Sequence, residues 1–192
     1  WSTNATLDAS SVAYSGLVGG DTFNGTYTGA FSDKNVGTGK TVTITSSYSG
    51  ADSGNYSVTD QSSTTGNIVP KVLTATASAS NKTYDGGTTA TATLTFSGLI
   101  GSETLGQSVS STFNNKNVAT GKTVTITSSY SGADVSNYSV TDQSSTTANI
   151  TAKALTVSGI TASSKTYDGS TSATLDSTSV TYTGLLSGDT FT

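Results

Sequence analysis

Two segments of the chain alternate polar and apolar residues without interruption. Residues 41–45 and 123–127 both read Thr-Val-Thr-Ile-Thr, which places valine and isoleucine on one side and threonine on the other. A period of two is typical of a half-buried β-strand. The branched Cβ of threonine also suits a pleated surface. We therefore predict a strand at each position, with the valine and isoleucine side chains in a core.

The alternation resumes after a short polar connection. Residues 48–52 read Tyr-Ser-Gly-Ala-Asp, a composition typical of turns, and Tyr-x-Val follows at 56–58 and again at 138–140. Further strands are predicted at 72–74 and 154–156, and no segment has a helical period with caps. The predicted core residues are Val42, Ile44, Tyr56, Val58, Val124, Ile126, Tyr138 and Val140, with Leu17, Leu99 and Leu185 from turn-rich connections. Short strands separated by turns predict an all-β, immunoglobulin-like β-sandwich.

A long internal repeat organises the chain. Residues 34–69 and 116–151 match at 31 of 36 positions, at a spacing of 82 residues. A second marker, Lys-Thr-Tyr-Asp-Gly, occurs at 82–86 and 165–169. We expect three modules: 1–70 (repeat 1, lacking its first strand), 71–152 (repeat 2, complete) and 153–192 (repeat 3, truncated). Such repeats predict tandem β-sandwiches of about 82 residues in a linear string.

The composition removes most catalytic chemistry. The 192 residues include no His, Cys, Met or Arg and a single Glu, whereas 40 Thr and 34 Ser supply more than a third of the chain. Neutral-pH acid–base catalysis most often uses His, and thiolate or Cys/His zinc chemistry is impossible here. A net charge of −4 argues against nucleic-acid binding. We expect no enzymatic activity and no cofactor, and no apolar run is long enough for a membrane span.

The Tyr-Asp-Gly sequences are the most distinctive motif, at Tyr84, Asp85 and Gly86 and again at Tyr167, Asp168 and Gly169. A tyrosine ring beside a carboxylate could bind a ligand. The favoured interpretation is structural: tyrosine packs in the sandwich, and Asp-Gly forms a turn in which glycine adopts positive φ. We therefore predict a structural motif and no catalytic, cofactor-binding or metal-binding residues.

Two other chemistries were weighed against this structural interpretation. Calcium needs about six to eight oxygen ligands, but Asp52 and Asp60, like Asp134 and Asp142, are separated in sequence. Intramolecular isopeptide bonds could involve four lysines paired with Asn or Asp. These lysines are Lys34, Lys40, Lys116 and Lys122. That reaction needs a further buried carboxylic acid, and the sequence nominates none.

Several motifs in fixed order resemble the YDG-type repeats of large bacterial surface and secreted adhesins, including filamentous-haemagglutinin-like proteins exported by two-partner secretion. The order is KTYDG, the loop type GLVGGDTF, KNVGTGKTVTI, GADSGNYSVT and TTGNIVPK. The resemblance covers essentially the whole chain. It implies an extracellular or cell-surface location and a role in adhesion or biofilm, with the modules forming a stalk.

The function expected is therefore a structural stalk or fibre repeat, whose partners are neighbouring repeats or head-to-tail copies of the same chain. The alternative is a multivalent carbohydrate- or receptor-binding module that recognises a host or matrix glycan. Exposed aromatic clusters in a groove on each module would favour the alternative, whereas buried tyrosines would favour the spacer. At the ends, we expect either a longer continuous polypeptide or complementation of residues 1–70 by residues 153–192 of another copy.

Overall fold

A computed structural model describes residues 2–190, and the regular structure in this range is almost entirely β-strand. Two short 3-10 turns, Ser53–Asn55 and Val135–Asn137, are the exceptions within these residues. The prediction of an all-β fold is confirmed. Between residues 2 and 190, no helix is long and apolar enough to cross a membrane.

Contacts divide the described chain into two compact units. The first contains the residues up to Thr74 together with Phe96–Gln107 and Tyr130–Thr141. The second contains Ala75–Thr95, Ser108–Ser129 and the residues from Asp142 onwards. Repeat 2 contributes to both units, so contact units and sequence repeats are different divisions of the chain. The repeat boundaries stay a prediction.

Repeat 1 forms one antiparallel sheet of four strands in the order β1-β2-β3-β4. The strands are β1 (Asn4–Ala5), β2 (Asn24–Phe31), β3 (Gly37–Ser49) and β4 (Ser63–Ile68). The predicted strand at 41–45 lies within β3, and Val42 is 2% exposed. The register of β3 against β4 shifts between Gly37 and Lys40, where Gly39 has a φ of +61°.

Repeat 2 supplies two sheets. Its strands are β5 (Lys71–Ala79), β6 (Lys82–Thr83), β7 (Ala92–Ser97), β8 (Gly106–Phe113), β9 (Ala119–Ser131), β10 (Tyr138–Asp142) and β11 (Ser145–Thr151). One sheet has the order β6-β11-β9-β8 and the other the order β10-β5-β7. The second sheet therefore has β5 as its central strand, paired along both edges.

Both sheets bury alternate residues, as expected of a sandwich-type fold. Buried residues of the second unit are Ala75, Ala77 and Leu94 from the three-stranded sheet, and Phe113, Val124, Ile126, Ala148 and Ile150 from the other. Leu73 and Tyr138 are buried in the first unit. The core predictions for Val124, Ile126 and Tyr138 are thereby confirmed, while Ile44, Tyr56 and Val140 are half-buried.

The described part of repeat 3 contains two small antiparallel sheets. Strand β12 (Thr156–Ser158) pairs with β15 (Thr181–Thr183), and β13 (Thr161–Ala162) pairs with β14 (Leu175–Asp176). Several apolar side chains stay exposed here, including Val157 at 46% and Ile160 at 54%. This segment has only a small core in the part of the chain that the structure describes.

Two core predictions are wrong. Val58 is 39% exposed, because residues 56–60 form no strand and face an open groove. Leu185 is 40% exposed, and its neighbour Leu186 is half-buried instead. Leu17 and Leu99, the counterparts of Leu185 in the other repeats, are half-buried.

Candidate functional site

A tyrosine holds the same loop in repeats 1 and 2. The hydroxyl of Tyr56 donates to Asp21 at 2.5 Å and accepts the backbone N–H of Val18 at 3.0 Å. In repeat 2 the hydroxyl of Tyr138 donates to Glu103 at 2.5 Å and accepts the N–H of Ile100 at 3.1 Å. Asp21, Glu103 and Asp189 occupy equivalent loop positions, and we call them the loop acids. The bond to Asp21 raises the pKa of the Tyr56 hydroxyl.

Side-chain contacts link repeat 1 to the loop acid of repeat 2, and we call this set of contacts the first joint. The ammonium of Lys34 donates to Glu103 at 2.7 Å and to Asp134 at 3.2 Å. The backbone N–H of Val36 donates to the side-chain oxygen of Asn137 at 2.9 Å. The Glu103 side chain is only 7% exposed, against 36% for Lys34. Their contact lowers the pKa of Glu103 and raises the pKa of Lys34, so both groups stay charged over a wide pH range.

The second joint links repeat 2 to the loop acid of repeat 3 in a similar way. The hydroxyl of Tyr84 donates to Asp189 at 3.0 Å, and the ammonium of Lys116 donates to the same carboxylate at 3.4 Å. The Lys116 ammonium also lies 5.9 Å from the centre of the Tyr84 ring. Tyr84 first and Asp189 second raise the pKa of Lys116. A lysine of one repeat thus meets the loop acid of the following repeat at both joints.

The loop acids were missed by the sequence analysis, although a signal for them exists. Glu103 is the single glutamate of the chain, and its equivalent positions carry aspartate. The residue type therefore varies while the carboxylate is kept. The lysines that meet these acids, Lys34 and Lys116, lie 82 residues apart, at equivalent positions.

The first Tyr-Asp-Gly motif forms a turn beside the second joint. Asp85 accepts the Lys82 ammonium at 2.8 Å and the Gly87 N–H at 2.9 Å. Gly86 has a φ of +79°, and a side chain at this position would contact Leu186 of repeat 3. Tyr84 is half-buried. The motif therefore places a tyrosine hydroxyl at the loop acid of the next repeat.

The second motif has the same turn but no equivalent contact for its tyrosine among the described residues. Asp168 accepts the Lys165 ammonium at 2.9 Å and the Ser170 N–H at 2.9 Å, and Gly169 has a φ of +74°. Tyr167 is 94% exposed, so the expectation that it packs in the sandwich is wrong. Residues of a single repeat form the Asp-Gly turn. The burial of its tyrosine depends, in contrast, on the loop of the following repeat that carries the loop acid.

Among the lysines considered for isopeptide bonds, Lys34 lies within 3.2 Å of two carboxylates, Glu103 and Asp134, whereas Lys40 and Lys122 each lie beside one suitable side chain without an additional acid among the described residues. Lys40 contacts Asp33 at 2.5 Å, and the buried Lys122 contacts Asn115 at 2.6 Å. No carboxylate lies within ion-pair distance of Lys122 in the part of the chain that the structure describes. For Lys40 and Lys122 the geometry is that of ordinary hydrogen-bonded pairs.

The aspartates considered for calcium have separate partners. Asp52 accepts the Thr22 N–H at 2.9 Å, Asp60 accepts the Tyr48 hydroxyl, and Asp142 accepts the Ser128 hydroxyl at 2.7 Å. Asp134 contacts Lys34. Within residues 2–190, no group of three or more acidic side chains is placed to hold a metal ion.

Repeat 1 also carries an open groove of about 920 Å³. Its apolar lining includes Leu7, Tyr14, Phe23, Tyr27, Tyr48 and Tyr56. The Phe23 ring lies 4.9 Å from that of Tyr14, 5.1 Å from Tyr48 and 5.7 Å from Tyr56. The hydroxyls of Tyr14 and Tyr27 are 2.7 Å apart, and this hydrogen bond raises the pKa of Tyr27 to about 12. The groove is thus an aromatic channel with hydroxyl groups along it.

The fold and the joints define an all-β protein built from related repeats. Three segments of the chain, residues 2–65, 69–148 and 151–192, match the YDG domain family. The chain therefore belongs to the YDG domain family, as the resemblance of its repeats indicated. Comparison with curated proteins and with solved structures gave no match.

Proposed function

We propose that this chain is a structural, non-enzymatic spacer of a bacterial extracellular adhesin or filament that supports cell adhesion or biofilm. The supporting observation is the recurring joint, in which Lys34 meets Glu103 and Lys116 meets Asp189. A contact that recurs from repeat to repeat restricts the movement of neighbouring repeats. This is the property that a spacer needs and that an independent binding module does not.

The composition supports the same proposal. Threonine and serine supply more than a third of the residues, and the chain has no His, Cys or Arg for catalysis or phosphate recognition. The acids and lysines at the joints contact one another across repeats. These charged groups therefore serve the chain's own cohesion.

The spacer role is tested by exchanging this segment in the full-length protein on the cell surface. Replacement by unrelated β-sandwich repeats of equal length should preserve adhesion, whereas deletion should weaken it because the distal region lies closer to the cell. Loss of adhesion after the equal-length exchange would show that the segment itself binds a ligand.

The aromatic groove of repeat 1 favours one other function, a multivalent carbohydrate-binding module. Aromatic rings with neighbouring hydroxyl groups suit a sugar, and Tyr48 and Phe23 line the groove. Repeat 2 argues against it, because its Tyr138 is 8% exposed and its Phe96 and Tyr130 rings pack at 5.4 Å. A glycan array probed with the 192-residue chain tests the alternative; binding lost in Tyr48→Ala would support it.

A further inference from the structure

The lysine that opens the marker Lys-Thr-Tyr-Asp-Gly makes the same contacts in both copies. The Lys82 ammonium donates to the Asp85 carboxylate at 2.8 Å and to the backbone carbonyl of Gly87 at 2.9 Å. In the second copy, the equivalent distances from the Lys165 ammonium are 2.9 Å and 2.8 Å. In each copy the lysine therefore holds the chain on both sides of the Asp-Gly peptide bond, and we call this set of contacts the lysine clamp.

The turn of the marker forms elsewhere in the chain without a lysine. In both markers the aspartate carboxylate accepts the backbone N–H two residues later at 2.9 Å. Asp8 accepts the Ser10 N–H at 2.9 Å, and Asp176 accepts the Thr178 N–H at 2.9 Å. Within residues 2–190, no lysine lies within ion-pair distance of Asp8 or Asp176. A carboxylate and a backbone N–H therefore suffice to close this turn, and the lysine of the marker has another role.

The glycine makes the marker turns chemically vulnerable. The chain contains two Asp-Gly dipeptides, and both lie in the markers. Gly86 and Gly169 have φ of +79° and +74°, a backbone conformation that glycine adopts at low cost. A side chain at Gly169 would meet no heavy atom within 4 Å, so the conformation and not lack of space requires glycine. Because glycine has no side chain, it leaves its own peptide nitrogen open to attack on the neighbouring carboxyl group.

Isomerisation of an Asp-Gly bond begins with that attack. The glycine nitrogen forms a bond to the aspartate Cγ, and a carboxyl oxygen leaves as water, which gives a cyclic succinimide. Water then adds to the main-chain carbonyl carbon, and the bond from this carbon to the nitrogen breaks. The main chain now runs through Cγ as isoaspartate, with one water lost and one gained. The protonated carboxyl group reacts in the first step, whereas the carboxylate is a poor electrophile.

We propose that Lys82 and Lys165 protect the Asp-Gly bonds of the two markers from isomerisation to isoaspartate. The clamp binds the carboxylate and the carbonyl beyond the glycine, and so restricts the movement that brings Cγ to the glycine nitrogen. The lysine, followed by the backbone N–H two residues after the aspartate, also lowers the pKa of Asp85 and of Asp168. The two aspartate side chains are 59% and 54% exposed, so water reaches both sites.

Isomerisation in the first marker would alter the second joint. Isoaspartate at position 85 lengthens the main chain by one methylene directly after Tyr84, whose hydroxyl donates to Asp189 at 3.0 Å. The added length displaces the tyrosine ring relative to the loop acid. The clamp thus preserves a contact between repeats as well as a turn. This inference concerns the chemical durability of the marker and does not depend on the spacer role.

Peptide mapping with electron-transfer fragmentation, which distinguishes isoaspartate from aspartate, tests the proposal in the 192-residue chain. During storage at pH 6, Lys165→Ala should form isoaspartate at Asp168 several times faster than the unmodified chain does. Asp85 in the same sample should keep its rate, because Lys82 is intact. Lys165→Arg, which keeps the charge and the donors, should keep the slow rate, and so should Lys153→Ala, which removes an exposed lysine outside the markers. Equal rates at Asp168 in Lys165→Ala and the unmodified chain would overturn the proposal.

The pH dependence of the rates distinguishes the clamp from packing of the lysine stem. Among the described residues, Lys165 is the charged group within ion-pair distance of Asp168. Protonation of Asp168 removes this ion pair and therefore the clamp. The rate in Lys165→Ala divided by the rate in the unmodified chain should thus decrease towards one as the pH falls from 6, over the range in which circular dichroism shows the strands retained. A ratio that stays constant over this range would contradict protection through the carboxylate.

Discussion

At Glu103 one carboxylate accepts hydrogen bonds from two repeats. Tyr138 reaches it from within repeat 2 at 2.5 Å, and Lys34 reaches it from repeat 1 at 2.7 Å. A mostly buried carboxylate with two charge-stabilising donors stays ionised to lower pH than a free glutamate. This pairing makes the first joint sensitive to acid.

Replacing Glu103 with Gln should reduce the loss of stability on acidification. Because the pKa of Glu103 is lowered in the folded chain, the ion pair stabilises the fold above the unfolded pKa of about 4.3. That stabilisation is lost as the pH falls through the lower, folded pKa. Melting temperatures measured between pH 7 and pH 2 should fall less in Glu103→Gln than in the unmodified chain. Parallel pH profiles for the two proteins would contradict this role.

The two Tyr-Asp-Gly tyrosines offer a matched pair of variants. Tyr84→Phe removes the hydroxyl that donates to Asp189 and should destabilise the fold by about 0.5–1.5 kcal/mol, the usual net contribution of a hydrogen bond. Tyr167→Phe should have almost no effect, because this side chain is 94% exposed. Urea unfolding measures both. Equal effects would mean that the motif stabilises its own turn and not the joint.

Among the elements, β5 contributes most to the difference between the repeats. It is the central strand of its sheet and buries Leu73 completely. Strand β12, its counterpart in repeat 3, is three residues long and, within residues 2–190, pairs with one strand, β15. The same type of sequence therefore gives a core strand where two neighbours are present and a short edge strand where one is.

Replacing Leu73 and Leu155 with alanine should distinguish the core strand β5 from the short edge strand β12. Leu73→Ala should destabilise the fold by roughly 2–5 kcal/mol, the range for a buried leucine. Leu155→Ala, at the half-buried counterpart, should cost much less. Chemical unfolding at low protein concentration gives both values. A cost for Leu155→Ala equal to that for Leu73→Ala would place repeat 3 in a complete core.

The sequence predicted the elements whose environment is set locally. Thr-Val-Thr-Ile-Thr alternation gave the position of β3 and β9, and the Asp-Gly turns have the positive φ that glycine allows. It was wrong at Val58 because burial there depends on a neighbouring strand and not on residues 56–60 themselves. The joints were also missed, because an ion pair between residues 69 apart, such as Lys34 and Glu103, leaves no local pattern.

At the scale of the whole molecule, the chain combines related repeats with recurring contacts between them. Each joint contains a lysine from one repeat and a loop acid from the next. Repeat arrays gain stability from such nearest-neighbour interfaces. We infer that these lysines hold the loops of the following repeats in place, which would be the physical basis of the proposed spacer role.

Hydrogen–deuterium exchange read by mass spectrometry tests this claim most directly. In Lys34→Gln, amides in the loop at residues 100–103 should exchange faster, while those at residues 186–189 keep their rate. Lys116→Gln should give the opposite pattern, so each variant is the control for the other. Unchanged exchange in both loops, or an equal change in both loops for either variant, would contradict the claim that each lysine holds the loop of the following repeat.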